Sequence, residues 1–321
     1  MKLGRRKFLA TGAAVAGATV AGGALWIESS RQRLARVLRQ LFNDCRRRVP
    51  PAPMQPAPQS WPSDAVTVAL LGHSTVLINF YGVTILTDPV FSTRIGLDAG
   101  LWTLGPKRYV APALTYKQLP PTDVVLLSHA HRDHLDLPSL ARFPSSTFAV
   151  TARATRDLLA ATPLRRAVSL GWGECASIPC RSGEVRIEAF EVKHWGRRWP
   201  SEQERGYNGY LLTRQGRTLL FAGDTAYTTL FAKLRPRGPF DLAIMPIAAY
   251  NPWIRNHCTP EEAVMMADMA GARFLVPVHH QTFKLSDEPL AEPLARLETA
   301  LRDDPARLAL RQIGQSFTLP G

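Results

Sequence analysis

Four side chains able to bind a metal ion fall within six residues: His129, His131, Asp133 and His134, in the segment Ser128-His129-Ala130-His131-Arg132-Asp133-His134-Leu135-Asp136. An apolar run, DVVLLS at 123–128, leads straight into them. An extended segment alternates its side chains, which places His129 and His131 on one side, and the turn that follows presents Asp133 and His134 together. Two imidazoles can then serve one metal, and an imidazole with a carboxylate the other. Imidazole and carboxylate are donors that zinc accepts, and the cluster holds no cysteine. A lone His-x-His would fit a solvated polar loop. Four donors behind an apolar strand are too dense for that.

Three later residues complete a two-metal set. His194 follows EAFEV and Lys193, Asp224 follows TLLFAG, and His279 follows FLVPV, each a strand-like run. Taken singly, each also fits a buried structural histidine or a turn aspartate. Taken together they bring the donors to seven, all on strand ends, where the backbone is stiff enough to fix metal geometry. The natural division puts His129, His131 and His194 on one zinc, and Asp133, His134 and His279 on the other. Asp224 then bridges the two, giving two Zn2+ per chain.

These donors need strands to hold them. Short β-rich runs occur at 66–71, 76–80, 83–87, 123–128, 148–151, 185–192, 208–213, 218–222, 242–246 and 274–278. Helical patterns occur at 139–142, 153–161, 260–270 and 290–303, the third with a proline and two glutamates in its first turn. Strands come in hairpin groups with helices between them, so a sandwich of two helix-covered sheets fits better than a doubly wound parallel sheet.

The chain has 321 residues, 45% of them hydrophobic, and a net charge of +13. That charge is not spread evenly. Residues 1–50 hold eleven Lys/Arg against Glu28 and Asp44, which leaves only +4 for the remainder. The catalytic region is therefore not a basic nucleic-acid binder. Residues 1–27 carry Arg5-Arg6-Lys7-Phe8-Leu9 and then an uncharged run from 10 to 27, the pattern of a twin-arginine export signal. It predicts a partner in the twin-arginine machinery and a periplasmic or membrane-tethered protein, with cleaved and anchored forms both open. Residues 28–60 hold an amphipathic basic pattern (31–42) that suits either a membrane surface or docking on the domain. A proline-rich stretch follows, a spacer or a surface strap. The folded domain is expected at 61–321. Cys175 and Cys180 either pair in an oxidising compartment or stand as separate thiols.

Further blocks accompany the metal motif: Gly72-His73-Ser74-Thr75, TDPVFS at 87–92, GPKR at 105–108, FAGDT at 221–225, GPFDL at 238–242 and TPEEA at 259–263. With SHAHRDHLD they make the chain, from about Trp61 onward, resemble the metallo-β-lactamase superfamily, and within it the N-acyl-phosphatidylethanolamine phospholipase D family. The resemblance implies an αββα sandwich, two mixed β-sheets flanked by helices, and the same seven metal ligands. It implies a phosphodiester hydrolase in which a hydroxide bridging two zinc ions attacks phosphorus, acting on a phospholipid or other phosphodiester at a membrane surface. Asp133 and His257 are the catalytic candidates, His257 as a group that orients the phosphate or protonates the leaving alkoxide. His73 and Asp88 are expected to brace the metal loops. Trp195, Tyr250 and Trp253, with Trp199 and Ile254, are candidates for an apolar mouth around the substrate. The alternative reading is a lactonase, resembling ascorbate-6-phosphate lactonase, or an acyl-ester hydrolase on the same fold. A β-lactamase is disfavoured, since those enzymes usually have a cysteine among the ligands of the second metal. One departure is plain: His280-Gln281 stands where the family commonly has Trp-Gly.

Overall fold

Alternation along one strand shows how the layers form. In Phe240–Pro246, Leu242 and Ile244 join the core between the sheets, while Ala243 and Met245 join a second core under the helices. Residues 44, 46–98, 103–199 and 202–321 are described in this computed structural model; the export segment at 1–27 and the amphipathic pattern at 31–42 lie outside the described residues. Val49–Gly321 form one unit and Met1–Arg48 another. The proline-rich segment belongs to the larger unit as a strap, with Pro50 O accepting from Ala111 N and Met54 N donating to Ile313 O.

The first sheet contains β1 (Val66–Gly72), β2 (Thr75–Phe80), β3 (Val83–Thr87), β6 (Val124–Leu127), β7 (Phe148–Ala152), β8 (Arg166–Leu170) and β15 (Ser316–Thr318). Their order is β15-β1-β2-β3-β6-β7-β8, antiparallel as far as β3 and parallel from there on. The second contains β9 (Cys175–Cys180), β10 (Gly183–Phe190), β11 (Gly209–Arg214), β12 (Arg217–Phe221), β13 (Phe240–Pro246) and β14 (Ala272–Val278). It runs β14-β13-β12-β11-β10-β9, with the β12-β13-β14 part parallel. A small hairpin pairs β4 (Leu97–Asp98) with β5 (Thr103–Leu104). Both large sheets are mixed, and their facing sides share one apolar core. This is the αββα sandwich.

Helices α2 (Pro260–Ala270) and α3 (Glu292–Ala300) cover the outer face of the second sheet. The α2 bounds match the sequence reading because both ends are written locally. Thr259 accepts from Glu262 N in a capping box, and Gly271 closes the helix at φ 80°. Other ends moved. The helix expected at 290–303 starts at Glu292, where Pro293 fits the first turn, and stops at Ala300. The helix expected at 139–142 is α1 (Leu137–Leu140). The pattern at 153–161 is a 3-10 helix over Arg156–Ala161, ended by an extended Thr162 as the following Pro163 requires.

Five strands, β4, β5, β8, β9 and β15, were not among those expected from the sequence. Cys175–Cys180 contains Pro179 and lies at a sheet edge, where a missing donor is tolerated. Its two cysteines are free, at opposite ends of one extended strand, about 16 Å apart at ~3.3 Å per residue and beyond disulfide reach. Of the two alternatives left open by the sequence, separate thiols is the one the structure has. Among the described residues, no helix is long and apolar enough to cross a membrane.

Candidate metal centre

All seven predicted donors converge where the parallel strands end. The connection after β6 turns sharply, with His134 N and Leu135 N both donating to His131 O. His279 follows β14 directly, Asp224 lies three residues beyond β12, and His194 lies four beyond β10. Gly223 lets two of these connections meet: at φ +60° a side chain is already strained, and a Cβ there would stand 2.7 Å from the Ser128 Cβ. His73, Asp88 and His279 hold positive φ without being glycine, backbone strain of the kind that clusters at functional sites.

The donors form two groups. In one, His131 Nδ1 lies 2.8 Å from His129 Nε2 and 3.3 Å from His194 Nε2. In the other, Asp133 Oδ2 lies 3.3 Å from His279 Nε2 and 3.5 Å from His134 Nε2. Asp224 Oδ2 stands between them, 3.1 Å from His134 Nε2, 3.2 Å from His279 Nε2, 3.8 Å from His194 Nε2 and 3.9 Å from His129 Nε2.

This donor set fits cations. Three ring nitrogens that face one another cannot all be satisfied by the protons of neutral imidazoles. Burial holds His129 and His194 well below the usual histidine range, as neutral ligands. At the other end burial opposes charge on His279, yet Asp224 and Asp133 outweigh it and raise its pKa to about 9, so two carboxylates there demand positive charge. Asp224 Oδ1 and His134 Nε2 are buried without a hydrogen-bond partner.

A family model described as the beta-lactamase superfamily domain matches residues 83–280, a span that takes in all seven donors. The chain belongs to the metallo-β-lactamase superfamily of metal-dependent hydrolases. An uncharacterized protein of Mycobacterium tuberculosis is 33% identical over 278 residues, 83% of this chain and 73% of the relative. The N-acyl-phosphatidylethanolamine-hydrolyzing phospholipase D 1 of Caenorhabditis elegans is 31% identical over 243 residues, 71% of this chain and 67% of the relative. A metallo hydrolase of Ignicoccus hospitalis shares the fold, with a TM-score of 0.59 at 18% identity over 80% of this chain and 99% of that one.

Around this superfamily centre the outward ring nitrogens of His134, His129 and His194 have partners. Asp88 takes up His134 Nδ1 at 2.7 Å and also accepts from Ser128 N at 2.8 Å and Ser128 Oγ at 2.6 Å. Ser128 Oγ in turn lies 2.9 Å from His129 Nδ1, and Asn256 O 2.8 Å from His194 Nδ1. His73 Nε2 lies 3.1 Å from Asp133 Oδ2, and burial, with His279 next, pushes its pKa down to about 3. His73 and Asp88 are each within hydrogen-bond distance of one donor, Asp133 and His134 respectively. One brace escaped the sequence: Arg198 donates to Ala130 O at 2.8 Å and Leu135 O at 2.9 Å, at the two ends of the metal turn. Its partners are backbone carbonyls, which no side-chain motif records.

A cavity of about 270 Å³ opens on the donors, lined by Trp195, Trp253, Ala249, His257 and Leu285 beside them. His257 Nδ1 is 4.0 Å from Asp224 Oδ2, and burial lowers its pKa to about 4. The Trp195 ring packs 4.3 Å from His194 and 4.6 Å from His131. Tyr250 is elsewhere. Its hydroxyl donates to Glu292 at 2.7 Å and its ring lies under Arg296, so it fastens the 247–258 connection to α3 and does not line the cavity. Leu285 takes a place on that wall; its loop follows His279, the only hint the sequence carried.

Proposed function

We propose that the protein is a two-zinc phosphodiesterase that hydrolyses phospholipids, in the manner of the phospholipases D it resembles. His129, His131 and His194 would hold one ion, Asp133, His134 and His279 the other, and Asp224 both. The observation that carries this reading is the position of Asp224 Oδ2, within 4 Å of a ring nitrogen from each histidine group. When bound, the ions would supply an activated water and positive charge to offset the negative charge that the phosphoryl oxygens gain in the transition state.

The protein's own groups do the rest. His73 fixes the orientation of Asp133, and Asp88 that of His134. His257, at the cavity wall, is placed to orient the phosphate or to give a proton to the departing alkoxide. Trp195, Trp253 and Leu285 supply apolar walls for an acyl group. The water oxygen bonds to phosphorus, the bond from phosphorus to the leaving oxygen breaks, and the alcohol leaves with a proton. The Arg5-Arg6 leader supports delivery by twin-arginine export to the periplasm or the inner membrane.

Hydrolysis of N-acyl-phosphatidylethanolamine in oxygen-18 water tests this. Label should appear in phosphatidic acid and be absent from the N-acylethanolamine. Label in a fatty acid or hydroxy acid, with no phosphatidic acid formed, would replace this reading with the lactonase or acyl-ester hydrolase.

A further inference from the structure

Eight large apolar side chains are exposed among the described residues, and six of them share one edge of the sandwich: Leu97, Leu104, Trp172, Trp199, Trp253 and Ile254. The topology places them there. The metal donors leave the ends of β6, β10, β12 and β14. Leu97 and Leu104 lie in the connection after β3, which is parallel to β6. Trp172 follows β8, parallel to β7 and so to β6. Trp199 is in the connection after β10, which also carries His194, and Trp253 and Ile254 follow β13, parallel to β12 and β14. Single exposed apolar residues are ordinary on a soluble surface, but their gathering around one mouth marks an interaction surface.

Cations are interleaved with these side chains. The Arg132 guanidinium lies 4.4 Å over the Trp199 ring, and its Nη1 donates to Gly96 O, next to Leu97. Residues 251–255 (Asn-Pro-Trp-Ile-Arg) are all exposed, and the turn contains no acid. Arg255 has no carboxylate within ion-pair distance among the described residues. Trp253 is shared between this turn and the cavity wall, so the surface continues into the site.

We infer that this edge docks on an anionic phospholipid bilayer, with the β4-β5 hairpin and Trp199 on one side of the mouth and the 251–255 turn on the other. This rests on the lipid-hydrolase reading and names the surface through which that site meets its substrate. Indole rings favour the level of the headgroups, aliphatic side chains the acyl boundary beneath, and unpaired arginine the lipid phosphates. That combination matches a lipid interface on each count.

Hydrogen–deuterium exchange of the full chain, with and without vesicles of phosphatidylethanolamine and phosphatidylglycerol, tests the assignment. Slower exchange is expected in peptides containing Leu97, Leu104 and 251–255, wherever else the basic leader also binds. A variant with Leu97→Ser and Leu104→Ser should lose the protection at the hairpin and hydrolyse vesicle lipid at least roughly tenfold more slowly. Its hydrolysis of soluble bis(p-nitrophenyl) phosphate should match the parent. Unchanged exchange at these positions, or full vesicle activity in the variant, overturns the docking edge even if lipid is cleaved. Protected edges on a protein that cleaves no phospholipid would instead overturn the function and leave the docking surface standing.

Discussion

The two halves of the sandwich furnish the metal centre in opposite ways. The first half gives His129, His131, Asp133 and His134 from one tight turn, and a buried network (Asp88, Ser128, His73) holds that turn from behind. The second half gives His194, Asp224 and His279 from three separate connections. Only His194 among them has its outward ring nitrogen on a protein acceptor, Asn256 O, while His279 Nδ1 and Asp224 Oδ1 are buried without partners. One half orients its ligands by side-chain hydrogen bonds, the other mainly by the rigidity of strand ends. A donor in the second half therefore has little to replace it, whereas the first half can be loosened by degrees.

The largest effect is expected at Asp224, which touches both histidine groups. Asp224→Asn keeps the shape but removes the negative charge facing both sets of donors, and kcat/KM should fall by more than roughly 10³-fold, since even a partner one step further out costs about 10–100-fold. Circular dichroism should show the fold retained. Near-parental activity would mean that the two groups work without a shared carboxylate.

Asp88→Asn sharpens the other side of the comparison. The amide keeps an acceptor but cannot hold Ser128 N, Ser128 Oγ and His134 Nδ1 together as the carboxylate does. Metal affinity, read by competition with a chelator, should weaken by about 10–100-fold, and activity should return when excess zinc is supplied. Activity that stays low at saturating metal would show that Asp88 does more than orient the turn.

These halves also differed in how openly the sequence displayed them. His129 to His134 stand out because four donors follow one apolar strand, so local spacing carries the information. His194, Asp224 and His279 are each ordinary alone, and become legible only when strand ends are considered jointly. The bounds of α2 were readable because Thr259, Pro260, Glu262 and Gly271 encode its start and stop. The edge strand Cys175–Cys180 was not, since Pro179 argues against a strand and only its partner β10 explains its pairing. Arg198 was invisible for a related reason: it acts on backbone carbonyls brought near by the fold.

Tyr250 gives the smallest expected effect and checks a sequence expectation that the fold redirected. An aromatic in a site-edge loop suggests a substrate wall, but its hydroxyl is committed to Glu292. Tyr250→Phe should lower stability by about 1 kcal/mol, measured by urea denaturation, and leave kcat and KM unchanged. A marked rise in KM would return Tyr250 to the substrate.

The central claim is that both halves meet in a single two-metal centre. Metal analysis of the purified full chain, dialysed against buffer with traces of zinc, tests it most directly. Two zinc equivalents per chain are predicted, falling together with activity when a chelator is added. One equivalent or less in a protein that retains full hydrolytic activity would contradict the account.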